Sequence, residues 1–526
     1  MILFSGYTTQ FRTAILVLLM HTASFSQLQQ PHRFEKERKF SDRDFTILPL
    51  KEDGMALIRE QNKYKSGNQT WEIILLDTAL QERGVLEPEI DNQSKFIGYE
   101  YSPGFVHILF NKNEFKSEFE ILSVNLISRE IFKYEINPEL KFQITHFIKA
   151  GENFIFGGYV NLEPAVLLYT SQAKNIKILP GFFQKDTELL DLRANQNQTF
   201  NTLLIDRGDR RDRKIILKTF DSIGKLLLEE QTDIEEEITL LNGISSTLER
   251  EDLGIIGTWG KRTSKQASGF YFFPVNPYRE IKINRIYLAQ LMHYLDYLKP
   301  KKAAKIKMKT QQALETGKTF DFVNYITPIK ITEYSGGFLL LAESYSSPRI
   351  NADNPYSGST PYYSFPYYGV LPTSSIYNTP NVAGNNSAET DEITKIESVV
   401  IAFNGNGTVL WDHSTKFDNV KRPIFEQVSD FHLNEENDRV YFLYKKDSDL
   451  KLKIINLSDN ESVELSEKTK LNDPQDELRS EDSQEGFIKH WFDGNFYVWG
   501  YQSIRNKTGS GEKTREVFYV NKVVVH

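Results

Sequence analysis

Short apolar runs rich in β-forming residues recur along this 526-residue chain, each entered through a turn residue. The marks are Gly54, Gly104, Glu152-Asn153, Thr199, Asp252, Gly337, Asp438 and Gly494, with MALIRE following the first and NFYVWG the last. Successive steps are 50, 48, 47, 53, 85, 101 and 56 residues, and the two long ones contain visible insertions. A repeat of this length is one supersecondary unit that cannot bury its apolar surface alone, so neighbouring units must stack.

Each unit carries the same succession. A partly alternating strand precedes the mark (FTILPL, FIGYEY, ELLDLRA), and the run after it is almost continuously apolar, as in a strand covered on both faces. A third strand follows (WEIILLD, FEILSVN, KIILKTF), then a turn and a fourth, as at Phe220–Glu230 and Phe403–His413. There Asn404-Gly405-Asn406-Gly407 supplies the positive φ angles of a tight hairpin. Four antiparallel strands per repeat define a β-propeller blade. The fold expected is all-β: a propeller of about eight four-stranded antiparallel blades, with seven as the alternative count and two stacked β-sandwiches as the rival. The last unit ends after three strands, so a segment before Phe45, such as His32–Phe40, is expected to supply the missing outer strand. Ile108, Phe156, Leu203, Ile256, Leu340, Phe442 and Val498 are the expected core positions.

Gly336-Gly337-Phe-Leu-Leu-Leu, paired with the later strand, Gly turn and strand ending in Trp411, resembles the repeats of secreted bacterial β-propellers. The match is good in this unit and partial around Phe220–Glu230. It implies fold and export, and it implies no activity.

An export route is also legible at the N-terminus. Arg12 precedes the apolar run Ala14–Met20, and Ser24 and Ser26 sit three and one residues before a cut ahead of Gln27. This is the order of a secretory signal peptide, and the run is far short of the ~20 residues of a membrane span. The expected layout is a signal peptide at 1–26, a ring-closing segment at 27–44 and one propeller at 45–526, destined for the periplasm, cell surface or exterior. No transmembrane segment is expected.

In an up-down meander the b–c and d–a connections leave from one face. Five unusual segments fall on such connections: a helical insertion at 286–317, a low-complexity loop at 346–391, Arg207–Lys214, the acids around Asp233–Glu237, and acidic Asp473–Glu485. The stripe Leu288, Leu291, Met292, Leu295, Leu298 predicts a helix broken at Pro300 and continued by Lys301, Lys302, Lys305, Lys307 and Lys309. Loops on a rigid scaffold are where binding tends to reside. The loop at 346–391 interleaves Tyr356, Tyr362, Tyr363, Tyr367, Tyr368 and Tyr377 with four prolines. Tyrosine offers rigid contact area plus a hydroxyl, and proline lowers the entropy cost of ordering, which suits stacking on sugars or docking a protein. Tyr362, Tyr363, Tyr367 and Tyr368 are the candidate binding residues, and the expected partner is a protein or a glycan at this decorated face.

Catalytic constellations are sparse. The nine histidines are scattered singly, with no zinc spacing; His413 and His432 lie in or beside strands, as sheet histidines do. With no cysteine, thiolate metal sites and cysteine nucleophiles are excluded. Thr316–Thr319 lacks the glycine of a phosphate loop, and Arg207-Gly208-Asp209 matches an adhesion tripeptide by letters alone. No cofactor and no metal are expected, although Asp473–Glu485 offers hard oxygen ligands of the kind calcium takes. A net charge of −8 is the wrong sign for nucleic-acid binding. The reading is an exported, non-enzymatic binding module. The alternative is a polysaccharide hydrolase or lyase that uses face-loop carboxylates.

Overall fold

The computed structural model describes residues 28–39, 41–113, 117–208, 211–248, 253–275, 283–316, 320, 322–346, 375–376, 393–418, 420–422, 427–446, 449–506 and 513–526. The described residues form an eight-bladed β-propeller. Blades 1 to 7 span 46–86, 95–136, 143–178, 187–233, 238–287, 325–416 and 429–468. Blade 8 takes its first three strands, a to c, from 476–525 and its outermost strand, d, from Leu28–Glu37, antiparallel to Lys513–Val525. First strands of adjacent blades lie beside one another, which makes strand a the inner strand of each blade.

Packing confirms the ring. Eight apolar clusters each join two neighbouring blades, one for every junction. Blade 8 meets blade 1 through Trp491, Tyr501 and Phe518 against Phe45, Leu57 and Ile74. All seven expected core positions are at most 2% exposed. The b strands are covered on both sides, so they read as continuous apolar runs, whereas outer strands such as Leu226–Asp233 and Ser462–Lys468 are largely exposed. Their acids, Glu229, Glu230, Glu464 and Glu467, blunt the open edges.

Turn chemistry repeats as well. At the end of strand c, Asp77, Asn125, Asp221, Asn404 and Asn456 each turn a side-chain oxygen back to accept backbone amides two to four residues on, at 2.8–3.1 Å. The chain then passes through a positive φ three or four residues later, at Leu80, Arg129, Gly224, Gly407 and Asn460. Such Asx turns replace strand pairing where the ladder stops. In the Asn404 hairpin, Gly407 holds the positive φ and Gly405 does not. At the a–b turn, Gly54 has φ +108° and a Cβ would meet the Leu76 carbonyl at 2.0 Å, so this mark requires glycine.

Two segments differ from the sequence expectation. The α-helix is Pro300–Glu315, and the apolar stripe before it is irregular apart from a 3-10 turn at Leu288–Gln290. Pro300 opens the helix, because at the first position its missing N–H costs nothing and its φ is already helical. Leu288, Leu291, Tyr294 and Leu295 are buried as a plug against blades 5 and 6, while Met292 is 65% exposed. The acidic stretch from Asp473 is mostly strand: Asp476–Phe492 pairs with Asn495–Asn506. Its Asp476 is held by Arg515 and Asn506, and its Glu481 by Lys445 and Tyr519.

Candidate functional site

Tyr356, Tyr362, Tyr363, Tyr367, Tyr368 and Tyr377 lie outside the described residues. Their insertion leaves blade 6 after strand b (Gly337–Tyr345) and returns at strand c (Ile393–Asn404). Its Ser375–Ile376 pairs antiparallel with Tyr99 and Gly98, on the inner strand of blade 2, four blades away.

The root of this insertion is built from buried charge. Lys395 and Glu343 face each other at 2.7 Å with both side chains 0% exposed. The other oxygen of Glu343 accepts the backbone amides of Val428 and Ser429 (2.9 and 3.2 Å) and the hydroxyls of Ser429 and Ser398 (3.1 and 3.2 Å). Ser429 begins the inner strand of blade 7, so a single carboxylate ties the insertion's root to the next blade. Desolvating an ion pair this completely is repaid only when the remaining lone pairs are satisfied, as they are here.

The opposite face of the same strands holds a second polar group. Glu397 is buried beside Tyr294 and Tyr297, and burial, reinforced by Asp296, pushes its carboxyl well above the carboxylate range. Asp412 is raised by burial too, against the backbone amides of His293 and Met292 that it accepts at 2.7 and 2.6 Å. His293 and His413 stack in parallel at 5.4 Å, and Asn324 donates to the Tyr294 hydroxyl. Raised carboxyls of this kind can mark acid–base machinery. Glu397 and Asp412, however, are 1% and 2% exposed and belong to the packing between the helical insertion and blade 6.

Inner strands carry a third pattern. Blades 3, 4, 5 and 6 break register at the same place, and the residue after the break is His146, Asp191, Asn242 or Lys330. A bulge re-aims a side chain: Asp191 and Lys330 reach the neighbouring blade, whereas Asn242 accepts from Thr258 of its own blade. Asp191 accepts the Ser245 amide and hydroxyl at 2.9 Å, and Asp430 in blade 7 accepts the His490 amide at 3.0 Å and the Lys330 ammonium at 3.1 Å. Burial opposes the Asp430 charge, but Lys330 and His490 outweigh it and hold the carboxyl below its ordinary value. His490 stacks on His432 at 5.2 Å, and burial lowers their pKa values to about 3 and about 4. Arg207 donates to Glu188 and to the carbonyls of Leu240 and Leu241, so the adhesion-like tripeptide spends its arginine inside the ring; Asp209 lies outside the described residues. Among the described residues no group of three or more His, Asp or Glu could hold a metal ion.

The buried histidines give a pH expectation. His107 bridges Ser102 and Ser123, and burial, with help from Lys149, lowers its pKa to about 3. The unfolded chain takes up a proton there below about 6.5 while the native ring refuses it, so stability falls as pH drops through that window. Glu100 and Glu397, raised in the native state, act with the opposite sign above the ordinary glutamate pKa. Replacing His107 by glutamine should therefore remove about 2 kcal/mol of the stability lost between pH 7 and pH 5. Urea unfolding at the two pH values measures it; equal pH sensitivity in variant and wild type would refute the assignment.

Fold and site together define an eight-bladed β-propeller whose blades are joined by buried polar links and whose sixth blade carries a long, charge-anchored insertion. No family profile matches the chain, and no curated protein matches it. Solved structures similar to it include the WD40 domain of SCAP from fission yeast, 7% identical over 94% of this chain and 97% of that one, TM-score 0.39. Prolyl oligopeptidase B from Galerina marginata is 6% identical over 93% of this chain and 57% of its own, TM-score 0.39. An uncharacterized protein from Listeria monocytogenes EGD-e is 10% identical over 82% and 97%, TM-score 0.36. The chain spans little more than half of the peptidase.

Proposed function

We propose that this chain is an exported binding module: a rigid propeller that holds a protein or glycan partner through the Tyr/Pro insertion of blade 6 and catalyses no reaction. The single observation that carries the reading is the Glu343–Lys395 root, fully buried and bonded onward to Ser429. A loop of no consequence needs only a short hairpin between strands b and c. Here buried charge joins the two strands between which some forty residues are inserted. The N-terminus supports export: a cut before Gln27 leaves the closing strand Leu28–Glu37 whole.

Replacing Arg349–Glu392 by an Asn-Gly turn tests this. Lengthening a loop costs about 0.6 kcal/mol per doubling, so the shortened protein should melt at nearly the wild-type temperature. Binding on an array of plant and microbial glycans, or to a cross-linked protein partner, should be lost, and changing Tyr362, Tyr363, Tyr367 and Tyr368 to serine should reproduce the loss. Unfolding of the shortened protein would assign the loop to the core, and undiminished binding would reduce it to decoration. Turnover of any glycan on the array would favour a hydrolase or lyase instead.

A further inference from the structure

A groove of about 410 Å³ runs along the outer edge of the ring between blades 6 and 7, outside every site considered so far. Its walls are the end of blade 6 strand d (Val409–Lys416) and strands b, c and d of blade 7. Four lysines line it, Lys416, Lys446, Lys451 and Lys453, against two acids, Asp449 and Glu464, in a chain of net charge −8. Asp418 at the rim lies 3.2 Å from Lys416 and 2.8 Å from Lys446, and Asp449 lies 3.6 Å from Lys451. Exposed pairs of this kind are worth at most about 1 kcal/mol, so an incoming anion displaces them easily.

Lys453 is the most enclosed of the four. Its ammonium donates to the neutral carbonyl of Ser414 at 2.9 Å, and burial lowers its pKa despite Glu464 and Asp296. The same Ser414 donates through its hydroxyl to the His293 carbonyl, and Lys307 of the helix Pro300–Glu315 donates to the neighbouring Met292 carbonyl, so hydrogen bonds link the groove's blade 6 wall to that helix. Lys301, Lys302, Lys305 and Lys309 are exposed on that helix. The element bonded to the groove's wall through Met292 and His293 thus carries four further exposed lysines, with Asp296 the acid that acts on Lys453.

We propose that this track binds an acidic polysaccharide, with one carboxylate or sulfate group seated in the groove. Lysine ammoniums are compact point charges that take such groups without the fork geometry of arginine, and no arginine lines the groove among the described residues. The Ser466 hydroxyl, which accepts from Lys451 at 2.8 Å, stands ready for sugar hydroxyls. Among the described residues the groove's one aromatic ring, Tyr444, is 5% exposed and offers no face to stack a base, which disfavours nucleic acid. The track uses no residue of the Tyr/Pro insertion and goes beyond the function proposed above.

Titration calorimetry of the full chain with polygalacturonate and with heparin at low salt tests it. The Lys416→Met/Lys451→Met variant should bind the better of the two at least tenfold more weakly, with unchanged melting temperature, and Lys453→Met should reproduce the loss. Lys141→Met/Lys174→Met removes the same charge elsewhere and should bind like wild type. Absence of wild-type binding to either polymer overturns the proposal, as does an equal loss in the control pair. Equal affinity for a single-stranded oligonucleotide overturns the ligand class. If the loop-replaced protein still binds the polymer while losing its other partner, the two sites are separate; loss of both merges them and overturns this one.

Discussion

Glu343→Ala should destabilise the protein by about 3–5 kcal/mol, one of the largest single-residue effects in the ring. The substitution leaves the ammonium of Lys395 at 0% exposure without its carboxylate, and strips the amides of Val428 and Ser429 of their acceptor. Removing one member of a buried pair costs more than the pair contributes, because the survivor keeps its full desolvation penalty. Glu343→Gln should remain destabilising, since an amide oxygen can accept from Lys395 without balancing its charge. Glu343→Leu/Lys395→Met should recover most of the loss, because replacing both partners by apolar groups of similar volume is often neutral. Chemical denaturation of the three variants decides the matter. A Glu343→Ala cost below about 1 kcal/mol would mean that the pair does not anchor the insertion's root.

What the sequence showed and hid follows from the range of the interactions involved. Strand b is visible in every blade because burial on both sides selects local apolar runs, and Ile108, Leu340 and Val498 sit in those runs at 0% exposure. The marks Gly54, Gly104, Gly337 and Asp438 are visible because a positive φ selects residue type, while at Thr199 and Gly494 the positive φ falls one residue earlier, at Gln198 and Asp493. The stripe Leu288–Leu298 misled because a buried irregular plug and a helix face can share a spacing, and Pro300 begins a helix as readily as it ends one. Glu343 and Lys395 were missed altogether. Their partners lie up to 86 residues away, at Ser429, and no local pattern carries that pairing. A signal did exist: Glu343 ends the run Phe338–Ala342, and Lys395 and Glu397 precede Val399–Phe403, charges set where apolar residues would be expected. The Asx turns were equally readable, since Asp or Asn closes strand c in five blades.

Removing residues 28–38 should have an effect larger still. Leu28–Glu37 is the outer strand of blade 8, paired from Leu28 opposite Val525 to Glu37 opposite Val517. It also joins three blades. Gln30 exchanges hydrogen bonds with Lys468 and Lys470 at the end of blade 7, and Arg33 reaches Gln502 and Asn521 in blade 8 while lying 4.3 Å over the Tyr519 ring. Lys36 donates to Glu72 in blade 1 at 2.7 Å, and Phe34 packs on the junction of blades 8 and 1. Each well-made hydrogen bond contributes about 0.5–1.5 kcal/mol and each fully buried side chain about 1.5–3. Their sum reaches the 5–15 kcal/mol by which a whole domain is stable. Deletion also uncovers one side of Lys513–Val525, leaving Val517, Phe518, Val520 and Val523 in an apolar edge strand paired only with Asn495–Asn506, a template for aggregation. The truncated chain should therefore fail to give a cooperative melting transition and should aggregate. A synthetic peptide of residues 27–38, added in excess during refolding, should restore a soluble ring by re-forming the ladder in trans. Arg33→Met in the full chain should only lower the melting temperature. If the truncated chain melts within a few degrees of wild type without the peptide, the first three strands of blade 8 close the ring unaided, and the N-terminal strand is an accessory to a circle already complete.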